Sequence, residues 1–174
     1  MGRKPIIFQI VGYQNSGKTT LTAKLIERCT QEGWRVGTIK HHGHGGTPAL
    51  GDEQKDTFHH RKAGAMVTGV EGAGMLQIHA GKKEWPLEGI IQIYEGFSLD
   101  LILIEGYKRE SYDKVVLIRS LEDLPLISSA PNIAAIISWV PLPSYAHGTL
   151  PLFYIEEEQI YIDWLVERMK ESRG

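Results

Sequence analysis

Eight residues constrain this chain more than any others: Gly12-Tyr13-Gln14-Asn15-Ser16-Gly17-Lys18-Thr19, which fit the pattern G-x-x-x-x-G-K-[ST]. The run before them, Ile6-Ile7-Phe8-Gln9-Ile10-Val11, is β-branched and nearly all apolar, as expected of a strand covered on both faces. After them, Thr19 to Glu32 reads as an amphipathic helix, with Leu21, Leu25, Ile26 and Cys29 on one face and Gly33 closing it. A glycine-containing turn from a buried strand into a helix N-terminus lines up backbone N–H groups, and the helix dipole adds to their pull on an anion. Gly12 and Gly17 permit close approaches that a side chain would block. Lys18 brings a mobile positive charge to the β- and γ-phosphates, and the Thr19 hydroxyl is suited to Mg²⁺. A chance lysine in an ordinary strand-to-helix turn would also satisfy the pattern. The flanking strand and helix favour the phosphate-binding reading.

The rest of the chain alternates. Arg35 to Lys40 reads as a second strand, and 41–53 as a loop with four glycines, a proline and three histidines. Asp56 to Ala63 reads as a short helix, Ala65–Val70 and Met75–His79 as short strands in a hairpin or side by side, and Leu87–Tyr94 as a helix introduced by Pro86. Leu99–Glu105 is a second strongly apolar strand; Lys114–Arg119, Ile133–Ser138 and Leu150–Tyr154 follow. A closing helix from Glu157 to Glu171 carries Ile160, Trp164, Leu165 and Met169 as its expected apolar stripe. Strands alternating with helices predict an α/β protein: a three-layer phosphate-loop NTPase fold around a mostly parallel, doubly wound sheet. With no repeat, low-complexity tract or linker, the expectation is a single nucleotide-binding domain over residues 1–174.

Three further groups belong to the expected site. Glu105 closes an apolar strand at the carboxyl end, where open α/β sheets bind ligands, and is expected to serve Mg²⁺ or the attacking nucleophile. Asp56 stands in a polar cluster after the Gly/His loop. It reads either as a Mg²⁺ or water-positioning residue or as an acid favoured at a helix N-terminus. Lys55 or Arg61 would contact anions there, and Lys40, ending the second strand, joins the phosphate or substrate site. Five of seven histidines lie between 41 and 60 (His41, His42, His44, His59, His60). They lack helical i, i+4 spacing with a matching acid, so a polar loop over phosphate or a partner is favoured over a metal cluster. Trp34, Trp85, Trp139 and Trp164 are dispersed, which suggests packing rather than a base-stacking platform.

Composition narrows the classes of function. A formal charge of −2 removes the electrostatic footprint of a general nucleic-acid binder. Cys29 is the only cysteine, which excludes an internal disulfide framework and fits a reducing compartment. No apolar stretch has the length of a membrane span, and Met1-Gly2-Arg3-Lys4-Pro5 lacks a signal-peptide pattern, so a cytoplasmic protein with neither membrane nor nucleic acid as partner is expected.

The loop Gly12–Thr20, Lys40-His41, the segment Lys55-Asp56-Thr57-x-x-His60-Arg61-x-Ala63-Gly64-Ala65, and Glu105-Gly106-Tyr107-Lys108 together resemble the molybdopterin-guanine dinucleotide biosynthesis adaptor family, over residues 5 to 170. Gln54 stands where that family usually has a glycine. The resemblance implies a GTP-binding homodimer with weak GTPase activity. Such a protein assists the molybdopterin guanylyltransferase that attaches GMP to molybdopterin, with molybdopterin or its carrier as a further contact. It implies that Gly12 to Thr20 hold phosphates, that Thr19 lies near Mg²⁺, that Asp56 and Glu105 serve the metal and water, and that Lys40 and Arg61 are polar site residues. Guanine preference comes from the resemblance alone, since there is no Asn-Lys-x-Asp motif; Trp139 and Pro141 follow a strand whose end approaches the base in this topology. A small-molecule kinase using the same loop, and a metal-delivery GTPase using the His-rich loop, are the competing readings.

Overall fold

A computed structural model describes residues 4–43, 46, 48, 51 and 55–172. By internal contacts the chain divides into two compact units, residues 1–43 with 91–174, and residues 44–90.

The first unit is built on a six-stranded sheet. Its strands are β1 (Ile6–Gly12), β2 (Val36–Lys40), β5 (Leu101–Glu105), β6 (Lys114–Ile118), β7 (Ile133–Ser138) and β8 (Leu152–Tyr154), in the order β2-β5-β1-β6-β7-β8. Every pairing is parallel. Both faces are covered, which is why β5 and β6 are buried at all five positions and why Leu101–Ile104 and Val115–Ile118 are unbroken apolar runs. The side chains alternate between faces. Phe8, Ile10, Leu101, Leu103, Val115 and Leu117 pack with Leu21, Leu25 and Cys29 of α1 (Lys18–Gln31) and with Tyr161, Leu165 and Met169 of the closing helix, Glu158–Glu171. Val11, Val116, Ile118 and Ile136 turn the other way and pack on Leu126 of a short helix, Pro125–Ser129. The central strands therefore form the middle of three layers.

The order reverses at β1, with β2 and β5 on one side and β6, β7 and β8 on the other. In an open parallel sheet this is where a crevice forms outside the carboxyl ends. The loop 13–17 lies there, between β1 and α1.

In the second unit, α2 (Asp56–Lys62) precedes an antiparallel hairpin, β3 (Val67–Gly72) with β4 (Met75–Ala80). Ala73 and Gly74, at φ 49° and 79°, make its two-residue turn. The hairpin is a separate sheet and takes no part in the parallel one. Helix α3 spans Leu87–Glu95, and its residue Tyr94, which belongs to the first unit, donates its hydroxyl to the Thr38 carbonyl of β2 in that same unit at 2.6 Å.

One expected apolar stripe is rotated. Ile160 is 59% exposed, while Tyr161, Ile162, Leu165, Val166 and Met169 are buried. The helix meets the sheet through an i, i+1, i+4, i+5, i+8 face, wide enough to take in Tyr161 and Val166 and to leave Ile160 outside. Two short helices, Pro125–Ser129 and Ser144–His147, are too brief to show periodicity and had no sequence signature.

Candidate phosphate-binding site

Gly12 ends β1 and Lys18 opens α1, so five residues carry the chain from the sheet edge to a helix N-terminus. Asn15 and Gly17 take left-handed conformations, φ 59° and 95°, which curl the loop back on itself. At Gly12 the constraint is space: a Cβ would lie 2.3 Å from Ser16 Oγ. The curl buries Ser16 to 1% exposure, and its Oγ has no hydrogen-bond partner among the described residues. An orphaned buried hydroxyl is costly on its own. In a loop built to receive an anion it is a waiting donor. Lys18 Nζ donates to the Tyr13 carbonyl at 2.6 Å, and its partial burial holds the ammonium below its ordinary pKa, an effect offset in part by Glu105.

Thr19 follows in the first turn of α1, and its hydroxyl donates to Glu105 Oε1 at 3.0 Å. Glu105 ends β5, directly beside β1, and is 8% exposed. Lys40, paired with Glu105 in register across β2 and β5, brings Nζ to 3.5 Å from the same oxygen. The three residues thus gather a hydroxyl, a carboxylate and an ammonium at the mouth of the crevice. The hydroxyl and carboxylate are hard oxygen donors of the kind Mg²⁺ takes. Gly106 and Tyr107 then turn sharply, at φ 98° and 51°. Gln9, fully buried in β1, donates to the carbonyls of both at 3.1 and 2.9 Å, which fixes the exit of β5.

Two further residues stand against the loop: Trp139, expected near the base from the strand end it follows, and Arg119, which sequence reasoning did not place at the site. Trp139, immediately after β7, donates its indole N–H to the Ser16 carbonyl at 3.2 Å. Arg119, immediately after β6, donates to the Asn15 carbonyl and lies over the Trp139 ring, 5.8 Å from its centroid. The dispersal of the tryptophans suggests packing, and Arg119 carries no local signature of a site. The signal that finds them is position, since each follows the carboxyl end of a strand neighbouring β1. Beside them a cleft of about 320 Å³ opens between α1 and the closing helix, lined by Thr20, Lys24, Trp139, Ile155, Glu158 and Tyr161 among others.

Asp56 and Arg61 lie in the second unit. Asp56 sits in the first turn of α2, where an acid favours the helix dipole. Arg61 Nη1 is 3.2 Å from Thr68 Oγ1 and 3.1 Å from His79 Nδ1, bracing α2 on its own hairpin. His41 packs against Tyr107, the rings tilted by 46° with centroids 4.5 Å apart. His44, Asp52 and Gln54 lie outside the described residues.

Comparison with known proteins agrees with this architecture. A family model described as molybdopterin guanine dinucleotide synthesis protein B matches residues 7–139. A probable molybdopterin-guanine dinucleotide biosynthesis adapter protein of Bacillus subtilis is 42% identical over 164 residues, covering 94% of this chain and 93% of the relative. The adapter protein of Escherichia coli is 30% identical over 176 residues, covering 97% and 95%. Among solved structures, a MobB protein homolog from Bacillus stearothermophilus superposes with a TM-score of 0.78 at 39% identity, covering 95% of this chain and 98% of that one.

Proposed function

The chain belongs to the molybdopterin guanine dinucleotide synthesis protein B family, and from that membership we propose that it is a GTP-binding adapter for the attachment of GMP to molybdopterin. The observation that carries the nucleotide part of this reading is the Thr19–Glu105 hydrogen bond at the buried end of β5, beside a curled loop with an unpaired Ser16 hydroxyl. Residues Gly12 to Thr20 form the phosphate cradle in this reading, and the Lys18 ammonium exchanges the Tyr13 carbonyl for a phosphate oxygen. Lys40 holds Glu105 in place by charge.

Mg²⁺ fits the donors at this position. Thr19 and Glu105 would hold it, and it would supply positive charge to the β- and γ-phosphates. Glu105 would also order the attacking water. Hydrolysis is slow in this reading because the adapter's cycle is completed on a partner, the molybdopterin guanylyltransferase, with molybdopterin or its carrier close by.

A homodimer is part of the proposal. Met66, Val67, Val70, Met75, Leu76 and Ile78 of the second unit are each at least half exposed, a density of apolar surface that favours burial against another copy. The single domain over 1–174 and a cytoplasmic location complete the reading. Among the described residues no helix is long and apolar enough to cross a membrane.

The test is a cofactor guanylation assay with purified guanylyltransferase, molybdopterin and GTP. Added protein is expected to raise the yield of the guanine dinucleotide form, and Lys18→Ala protein is expected to leave the yield at its unassisted level. No rise at any ratio of adapter to enzyme contradicts the adapter role.

A further inference from the structure

The cleft beside α1 has the position and chemistry of a base pocket. Phosphates held over the loop leave the nucleoside to continue past Thr19 along the first turns of α1. Thr20 and Lys24, one turn apart on that helix, line the cleft on this side. Trp139 forms a second wall, its ring fixed by the bond from its indole N–H to the Ser16 carbonyl. The floor includes Leu117, Ile137 and Tyr161, all buried. The far wall is the start of the closing helix, where Glu158 is the only carboxylate lining the cleft among the described residues, and it is ion-paired to Lys24. Its neighbour Glu157 points elsewhere, accepting from the Tyr154 backbone N–H at 2.6 Å.

We propose that this cleft receives the purine ring and that Glu158 is the residue that selects guanine, replacing the absent Asn-Lys-x-Asp motif from a different element. The proposal rests on the reading that the loop binds a nucleotide's phosphates. Guanine presents N1–H and N2–H side by side, and a carboxylate accepts from both at once. Adenine presents an unprotonated N1, which repels a carboxylate, beside a single exocyclic amine. A flat pocket with one acidic group at its edge therefore discriminates between the two by charge-assisted hydrogen bonds. Lys24 offsets the Glu158 charge when the cleft holds no base and offers a donor to the guanine O6 when it does.

The experiment is calorimetric titration of the full-length protein with GTP, ATP and XTP in Mg²⁺, on wild type, Glu158→Gln and Lys18→Ala. Glu158 is half-exposed in the first turn of its helix, so the substitution leaves the core intact. Wild type is expected to bind GTP about tenfold or more tighter than ATP, the size of one good bidentate contact. Glu158→Gln is expected to lose about tenfold in GTP affinity, to gain about as much for XTP, and to bind ATP more tightly than wild type does, because the repulsion of adenine N1 is removed. The gain arises because a glutamine carbonyl accepts from xanthine N1–H while its amide donates to the xanthine O2.

Lys18→Ala is expected to weaken all three nucleotides alike. If Glu158→Gln keeps the wild-type ratios, or weakens all three equally while Lys18 still matters, Glu158 does not read the base and the phosphate loop stands. If wild type binds ATP as well as GTP, the guanine selection is overturned. If Lys18→Ala binds as wild type does, the phosphate-loop reading falls and takes this proposal with it.

Discussion

Thr19 and Glu105 are 86 residues apart in sequence, yet the Thr19 hydroxyl donates to Glu105 Oε1 at 3.0 Å. The parallel pairing of β1 with β5 makes this contact, because it sets Glu105 level with Ile10, just below the loop that leads to Thr19. If the pair holds Mg²⁺, the two side chains act as one unit. Thr19→Ala and Glu105→Gln are each expected to reduce the Mg²⁺ enhancement of GTP binding by about tenfold or more. The double variant is expected to be little worse than either single one. A titration in which the losses multiply and the Mg²⁺ enhancement survives contradicts a shared metal role.

Gly12 is fixed by space rather than by backbone angle. A methyl group there meets Ser16 Oγ at 2.3 Å and Leu117 Cβ at 3.2 Å, and the buried Ser16 has little room to retreat. Gly12→Ala is expected to cost about 1–3 kcal/mol, the usual range for overpacking. Denaturant titration measures this directly. Adding Ser16→Gly should recover part of the loss, and no recovery would place the strain elsewhere.

Lys114 is fully buried at the start of β6, and its ammonium donates to the carbonyls of Glu110, Tyr112 and Pro131. Three backbone acceptors in one place are otherwise satisfied only by water or by another donor. Lys114→Met keeps the stem and strands the carbonyls, and is expected to destabilise by about 3 kcal/mol. A loss below about 0.5 kcal/mol would mean that water replaces the ammonium at no cost.

Cys29 gives the chain an alkaline limit. Burial against the sheet raises its thiol from 9.0 to about 11. The folded state therefore holds the proton through a window in which the unfolded chain releases it. Stability from this group is complete below about pH 9 and falls as pH rises toward 11, by about 2–3 kcal/mol in all. Lys114 has the opposite sign: burial lowers its folded pKa, so its contribution grows as pH rises toward 10.5. Comparing wild type with Cys29→Ala from pH 8 to 11 cancels the lysine. The gap between the two is expected to narrow as pH rises, and parallel curves would contradict it.

Much of this was legible because it is local. The loop, the flanking strand and α1 are contiguous, and a short hydrophobic run such as Leu101–Ile104 reads as a strand covered on both sides. Glu105 and Lys40 followed from the rule that ligands collect at carboxyl ends of strands. Arg119 was not legible as a site residue, and Trp139 only through the strand end it follows, because their approach to the loop depends on the order β1-β6-β7, and no local pattern encodes strand order. The closing helix was found but turned, since Ile160 satisfies an apolar stripe as well as Tyr161 does until the sheet decides between them. The burial of Lys114 was hidden for a related reason. Its three acceptors come from two loops that meet only when β6 pairs with β7.

The central claim is that this loop binds the phosphates of GTP, and calorimetric titration with GTP with and without Mg²⁺, on wild type and Lys18→Ala, tests it most directly. The account predicts saturable binding by wild type that is strengthened by Mg²⁺ and falls by about a hundredfold or more in Lys18→Ala, as befits loss of a charged phosphate contact in a partly buried site. Equal affinity in the two proteins, or no binding of GTP by wild type, would contradict it.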